Sequence, residues 1–131
     1  MEKKENMKEI VDNNKLERWT FGINANQLVE LVLEGKKTAT TYLYEDDEKY
    51  KENDISILTD INGNDVCLIQ TRKIIITTFK NITWDLAVLE GENSSLDDWR
   101  KEHYNFFKKI NPSFNKDTKV VFEIFEMIDK L

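Results

Sequence analysis

From Ile55 to Thr78 the chain is rich in β-branched residues and shows no helical pattern, and this block limits the possible folds more than any other stretch. Ile55 to Thr59 and Val66 to Gln70 read as paired strands, because Asn62-Gly63 offers tight-turn chemistry between them. Arg72 to Thr78 extends the β-rich region through Ile74, Ile75 and Ile76. No repeated βαβ unit is present, so the order of elements favours an α+β fold with antiparallel strands, curled into a barrel. At 131 residues the chain can bury one core and is too short for two ordinary domains.

The flanks supply helices. Met7, Ile10 and Val11 recur at helical spacing between Glu5 and Leu16, which predicts a short N-terminal helix. Residues 1–18 therefore read as a helical extension and 19–131 as the domain. Trp19 and Phe21 share a face if their segment is extended, where they either pack in the core or line a pocket. Asn24 or Asn26 can cap a helix whose apolar stripe is Leu28, Leu31 and Val32, and Gly35 ends it. Thr38 to Tyr44 then reads as a strand, and the charged run Glu45 to Asp54 as a solvated loop. Thr83 can cap a short turn through Leu86. Ser95, with Asp98 three residues on, resembles a capping box for a helix reaching about Lys109. Leu96, Trp99, His103, Phe106 and Ile110 form its apolar face, and Asn111-Pro112 stops it. Lys119 to Ile128 has apolar residues on both faces, as a central or barrel strand does.

Composition excludes several classes. Apolar residues make up 40% and charged residues 34%, and no apolar run approaches membrane-spanning length, so a soluble protein without a membrane partner is expected. The N-terminus has no secretory pattern, and the single Cys67 forbids an internal disulfide, which points to the cytoplasm. Cys67 lies in an apolar pattern and reads as a buried thiol. A net charge of −6 argues against charge-driven coating of nucleic acid while leaving room for a local basic pocket. One histidine and one cysteine cannot build a four-ligand zinc site, and no metal or cofactor is expected.

Chemistry must then come from lysine, threonine and glutamate. His103 lies on an apolar helix face, and Gly22, Gly35, Gly63 and Gly91 are too scattered for a phosphate loop. Lys36 beside Lys37 can favour a neutral amine, and a neutral lysine can deprotonate a threonine for attack on a carbonyl. Lys37 and Thr40 are the natural pair. In a regular strand, however, they would face opposite sides, whereas Lys36, Thr38 and Thr40 would share one. Solvated lysines ahead of an ordinary threonine-rich strand are the alternative.

Trp19-Thr20-Phe21-Gly22, the run Leu33 to Thr40, Glu90-Gly91-Glu92, Ser95-Leu96, Trp99 to Phe107 and Val120-Val121-Phe122-Glu123 occur in an order that resembles the ASCH domain family, in its branch of small bacterial proteins. The resemblance covers about Trp19 to Met127. It implies a PUA-like fold, a β-barrel flanked by helices, and a partner that is RNA, a nucleotide or a modified nucleoside. It also implies a cleft lined by the Gly-Lys-Lys-Thr segment. Small relatives include an amidohydrolase acting on N4-acetylcytidine and a ribonuclease; a module that binds without turnover is the other possibility. By motif the catalytic positions are Lys37, Thr40 and either Glu90 or Glu92, because the acidic loop is shorter than the family pattern. Gln70-Thr71 stands where that branch often carries Glu-Thr. Candidate ligand contacts are Trp19 and Phe21 for stacking, Gly35, Lys36 and Thr38 from the cleft segment, Arg72 and Arg100 for phosphate, and Trp99 and His103 from the helix.

Overall fold

The computed structural model describes residues 16–46 and 49–131. Five strands make one sheet: β1 (Arg18–Trp19), β2 (Ala39–Leu43), β3 (Ile55–Thr59), β4 (Asp65–Thr78) and β5 (Lys119–Lys130). The expected N-terminal helix falls on residues outside those described. The sheet order is β1-β3-β4-β5-β2. Only β1 and β3 run parallel; the other pairs are antiparallel. Among the described residues three α-helices accompany it, α1 (Ala25–Leu33), α2 (Trp84–Ala87) and α3 (Leu96–Ile110).

The fold class is α+β as expected, but the sheet does not close into a barrel. Closure would need β1 to pair with β2, and among the described residues no such pairing exists. A two-residue β1 offers too few backbone groups to complete a ring of strands. The sheet bends instead through register shifts in β4 at Leu68/Ile69 and Thr71/Lys73. The expected strands from Val66 to Gln70 and from Arg72 to Thr78 are thus one continuous strand of 14 residues, bulged where Arg72 is left without a partner in the β5 register.

Two apolar clusters form the core. One packs Leu28, Val29 and Val32 of α1 against Leu58, Ile69 and Phe125 of the sheet. The other packs Trp99 and Phe107 of α3 against Phe79, Phe114 and Phe122. Cys67 is fully buried in the first, and burial pushes its thiol up to about 11, which suits a structural role. The buried side of α3 runs through Trp99, His103 and Phe107, while the expected Ile110 is 57% exposed.

Ser95 caps α3, its hydroxyl oxygen accepting from the Asp98 N–H at 3.2 Å. Asp97 and Asp98 sit in the first turn and Lys108 and Lys109 in the last, so charge complements the helix dipole at both ends. Replacing Ser95 by alanine is expected to lower unfolding free energy by about 1 kcal/mol in a urea titration. An unchanged midpoint would show that the acidic first turn holds the helix end without the cap. At α1 the capping expectation fails in detail. Asn24 occupies the N-cap position without a side-chain cap bond, and Asn26 Oδ1 accepts from the Ile61 N–H instead.

Candidate functional site

Lys37 reaches the interior because α1 ends in a tight reversal. Gly35 has φ 77°, a conformation glycine adopts at little cost. Its N–H donates to Val32 O at 3.0 Å, and the Lys36 N–H to Leu31 O at 2.9 Å. This is the paired C-terminal bonding of a Schellman motif. The Lys37 N–H also donates to Leu31 O, at 3.1 Å, so Lys37 still wraps the helix end while Ala39 begins β2. Strand alternation therefore does not govern the Lys37–Thr40 spacing, and both line one cavity.

Thr38 draws the acidic loop to the same place. Its N–H and hydroxyl both donate to Leu89 O, at 2.8 and 3.2 Å, while its carbonyl accepts from the Phe125 N–H at 2.9 Å. The 3₁₀ turn Val88–Glu90 is thereby fastened along the outer edge of the sheet, and Gly91, with φ 72°, turns the chain so that Glu90 and Glu92 flank Lys37.

Lys37 is 2% exposed, and its ammonium donates to Glu92 Oε2 at 2.5 Å, Glu90 Oε1 at 3.1 Å and Glu90 O at 3.5 Å. It also stands over the Phe21 ring, 5.1 Å from the centroid. Glu90 is equally buried and better supplied. Its Oε2 accepts from Thr41 Oγ1 at 2.7 Å and Trp99 Nε1 at 2.8 Å, while Oε1 faces Lys37 and, at 3.4 Å, His103 Nε2. Four donors meet the roughly four lone-pair sites of one carboxylate. Burial pushes the Glu90 carboxyl up, yet Lys37 first, then His103 and Thr41, bring it down to about 2.

Glu92 differs although it lies nearer Lys37. Burial raises its carboxyl, the attraction of Lys37 only partly offsets this, and Glu90 adds like-charge repulsion. Glu92 lacks the Thr41, Trp99 and His103 contacts that stabilise the charge on Glu90. A proton arriving at the site therefore goes to Glu92 rather than Glu90. At His103, burial disfavours the cation, but the Glu90 carboxylate outweighs it and holds the imidazole above its ordinary value. His103 Nδ1 lies 2.9 Å from Trp99 O, which can only accept, so Nδ1 carries a hydrogen. Nε2 faces a carboxylate and is best protonated as well.

One donor atom from each of Glu90, Glu92 and His103 lies within 4.8 Å of the others, a set that could hold a divalent cation. The ammonium of Lys37 already occupies the centre of that charge, and Glu90 has no lone pair left to offer. The donor set therefore fits a lysine-centred ion network better than a metal.

The cavity, about 70 Å³, opens between the α1 and α3 packing layers. Of the residues singled out in the sequence, Lys37, Thr40, Glu90, Glu92, Phe21 and His103 line it. Trp99 lies behind it, fully buried and stacked on His103 at 4.3 Å. The others sit elsewhere. Trp19 donates its indole N–H to Ser56 Oγ and packs edge-on against Phe125. Gly35 shapes the reversal, and Lys36 is exposed beside Glu34. Thr38 serves the Leu89 contact. Arg72 pairs with Glu126, and Arg100 donates to the carbonyls of Lys80 and Ile82. Thr41, Glu102 and Phe106 also line the cavity without having been foreseen. Thr41 could have been found: it alternates with Ala39 and Leu43 on the inward face of β2, where a hydroxyl needs a partner.

An open, mostly antiparallel sheet with a charged cavity between two helical layers defines an α+β domain. The family model for the ASCH domain matches residues 17–129, and the chain belongs to the ASCH domain family. Solved structures agree. A protein from Enterococcus faecalis V583 is 27% identical, with a TM-score of 0.82 over 96% of this chain and 85% of that one. The ASCH domain from Lactobacillus crispatus JV V101 is 24% identical, with a TM-score of 0.80 over 92% and 85%. A mutant ASCH protein from Zymomonas mobilis, 11% identical at a TM-score of 0.54 over 88% and 70%, shares the fold alone. Among curated proteins none matches. Among the described residues no helix is long and apolar enough to cross a membrane.

Proposed function

We propose that this ASCH domain binds a modified nucleobase or nucleoside in the Lys37 cavity and hydrolyses an N4-acetylcytidine-type amide. The observation that carries the reading is the buried Lys37–Glu92 contact at 2.5 Å, in a cavity that Thr40 also lines. In a buried pair, passing a proton from the ammonium to the carboxylate replaces two charges by two neutral groups, and the raised Glu92 carboxyl favours that transfer. Lys37 then accepts the Thr40 hydroxyl proton as Oγ1 attacks the acyl carbon, and Glu92 gives its proton to the departing amine. Water next attacks the threonine ester, losing a proton to Glu92, and the Lys37 ammonium returns one to Thr40. Glu90 is a positioning residue in this scheme. Its full complement of donors leaves it unsuited to carry a proton.

A second reading is a module that receives a base without turnover, since the ASCH family is associated with RNA binding. The three acceptors around Lys37 favour it, because they hold the amine as a fixed donor. Phosphodiester cleavage has less support: Lys36, Arg72 and Arg100 all lie apart from the cavity.

Incubation with N4-acetylcytidine, and separately with single-stranded RNA, tests these readings. Hydrolysis predicts acetate release that falls about 10²- to 10⁴-fold in Glu92→Gln, the range for losing a general acid. Glu90→Gln is expected to lower thermal stability as well as rate. Nucleotide binding without any product would leave the module, and equal rates in Glu92→Gln and the parent would remove Glu92 from proton transfer.

A further inference from the structure

We propose that the apolar lining of the cavity is an acyl subsite, and that Phe106, seated in the space left by Gly22, limits the length of the acyl group admitted. This rests on the hydrolase reading above. The cavity's lining is of two chemical kinds: Lys37, Thr40, Glu92, Glu102 and His103 are polar, and Phe21, Ile23, Leu28 and Phe106 are apolar.

An amide whose carbonyl sits at Thr40 must send its two substituents in different directions. Glu102 also lines an open groove along α3, together with Asn93, Asp98, Lys101 and Asn105. Amides, carboxylates and one ammonium suit a heteroaromatic amine and the hydroxyls of its sugar. An alkyl chain gains nothing there. Its match is the apolar lining, where Phe21 and Leu28 are 7% and 6% exposed and are fixed by core packing.

Phe106 bounds that lining. A Cβ built on Gly22 would stand 2.9 Å from Phe106 Cζ, so the tip of the ring rests against the glycine backbone. The ring cannot withdraw further in that direction. Size sets the class of acyl group. A cavity of about 70 Å³ is roughly half the ~150 Å³ of an engineered apolar cavity that takes benzene. A two- or three-carbon acyl group fits, and an aromatic one does not.

The test is a series of N4-acetyl-, propionyl-, butyryl- and benzoylcytidine, with kcat/KM measured for the parent, Phe106→Ala and Phe106→Leu, each with a thermal melt. The parent should favour acetyl or propionyl and lose about tenfold or more at butyryl, the scale on which one methylene is discriminated. Phe106→Ala should raise the butyryl-to-acetyl ratio at least tenfold, and Phe106→Leu less; if the alanine variant does not fold, the leucine variant carries the comparison. The same chain-length profile in the parent and the folded variants would overturn the acyl subsite while leaving the hydrolase reading intact. No turnover of any member would overturn that reading, and the subsite with it.

Discussion

Lys37→Met should destabilise the protein by about 3–5 kcal/mol and abolish any hydrolysis, because it strips the main counter-ion from a carboxylate that is itself 2% exposed. Methionine preserves most of the side-chain volume, so the loss measures charge rather than a void. Glu90 would keep Thr41, Trp99 and His103 as donors, but its strongest electrostatic partner would be gone. The pH dependence identifies the cause. In the parent Glu90 is held at about 2, below the ordinary 4.5, so its stabilising contribution is full above pH 4.5 and fades as pH falls toward 2. Without Lys37 the carboxyl moves up and its protonation relieves the buried charge. The gap between variant and parent should therefore narrow on acidification. Urea titrations at pH 7 and pH 4 measure both effects, and Lys37→Met/Glu90→Gln should recover part of the loss. A variant as stable as the parent at pH 7 would mean that water, not lysine, compensates Glu90.

Gly91→Ala is expected to cost about 3 kcal/mol or more, the range of severe steric and backbone effects. Gly91 has φ 72°, which alone strains an alanine by about 1–2 kcal/mol. Steric overlap costs more than this strain. A Cβ there would lie 2.2 Å from Lys36 O and 2.8 Å from Lys36 C, and both are backbone atoms of the reversal that sets Lys37. Relief requires the acidic loop to back away, which lengthens the Lys37–Glu92 contact and, on the hydrolase reading, lowers acetate release. Gly35→Ala provides the control: φ is 77°, yet nothing lies within 4 Å of its Cβ. The difference between the two variants isolates the contact from the strain. Equal losses in stability and in acetate release would show that the loop position is not set by the Lys36–Lys37 peptide.

Local signals carried much of the architecture. Gly35 marked the end of α1, Ser95 the start of α3, and Asn62-Gly63 the connection of β3 to β4, because each depends on a few neighbouring residues. Barrel closure was not legible in this way. It depends on whether β1 and β2 meet, and their sequences do not encode the two-residue extent of β1. Aromatic side chains misled for a related reason. Trp19 looks available for stacking, yet Ser56, 37 residues away, takes its N–H. Phe107 rather than Ile110 completes the buried face of α3, since Phe79 and Phe114 supply the ring contacts it needs. At the site, the family pattern left Glu90 and Glu92 equivalent. They separate only in three dimensions, where Trp99 and His103, one and two turns into α3, reach Glu90 and leave Glu92 with a single lysine.

Thr38 binds Leu89 on one side and Phe125 on the other, so β2 is fenced in by the turn that carries the two glutamates. Fraying of that margin and dismantling of the charged cluster are therefore a single event. The rear of the hollow therefore cannot breathe independently of the sheet margin.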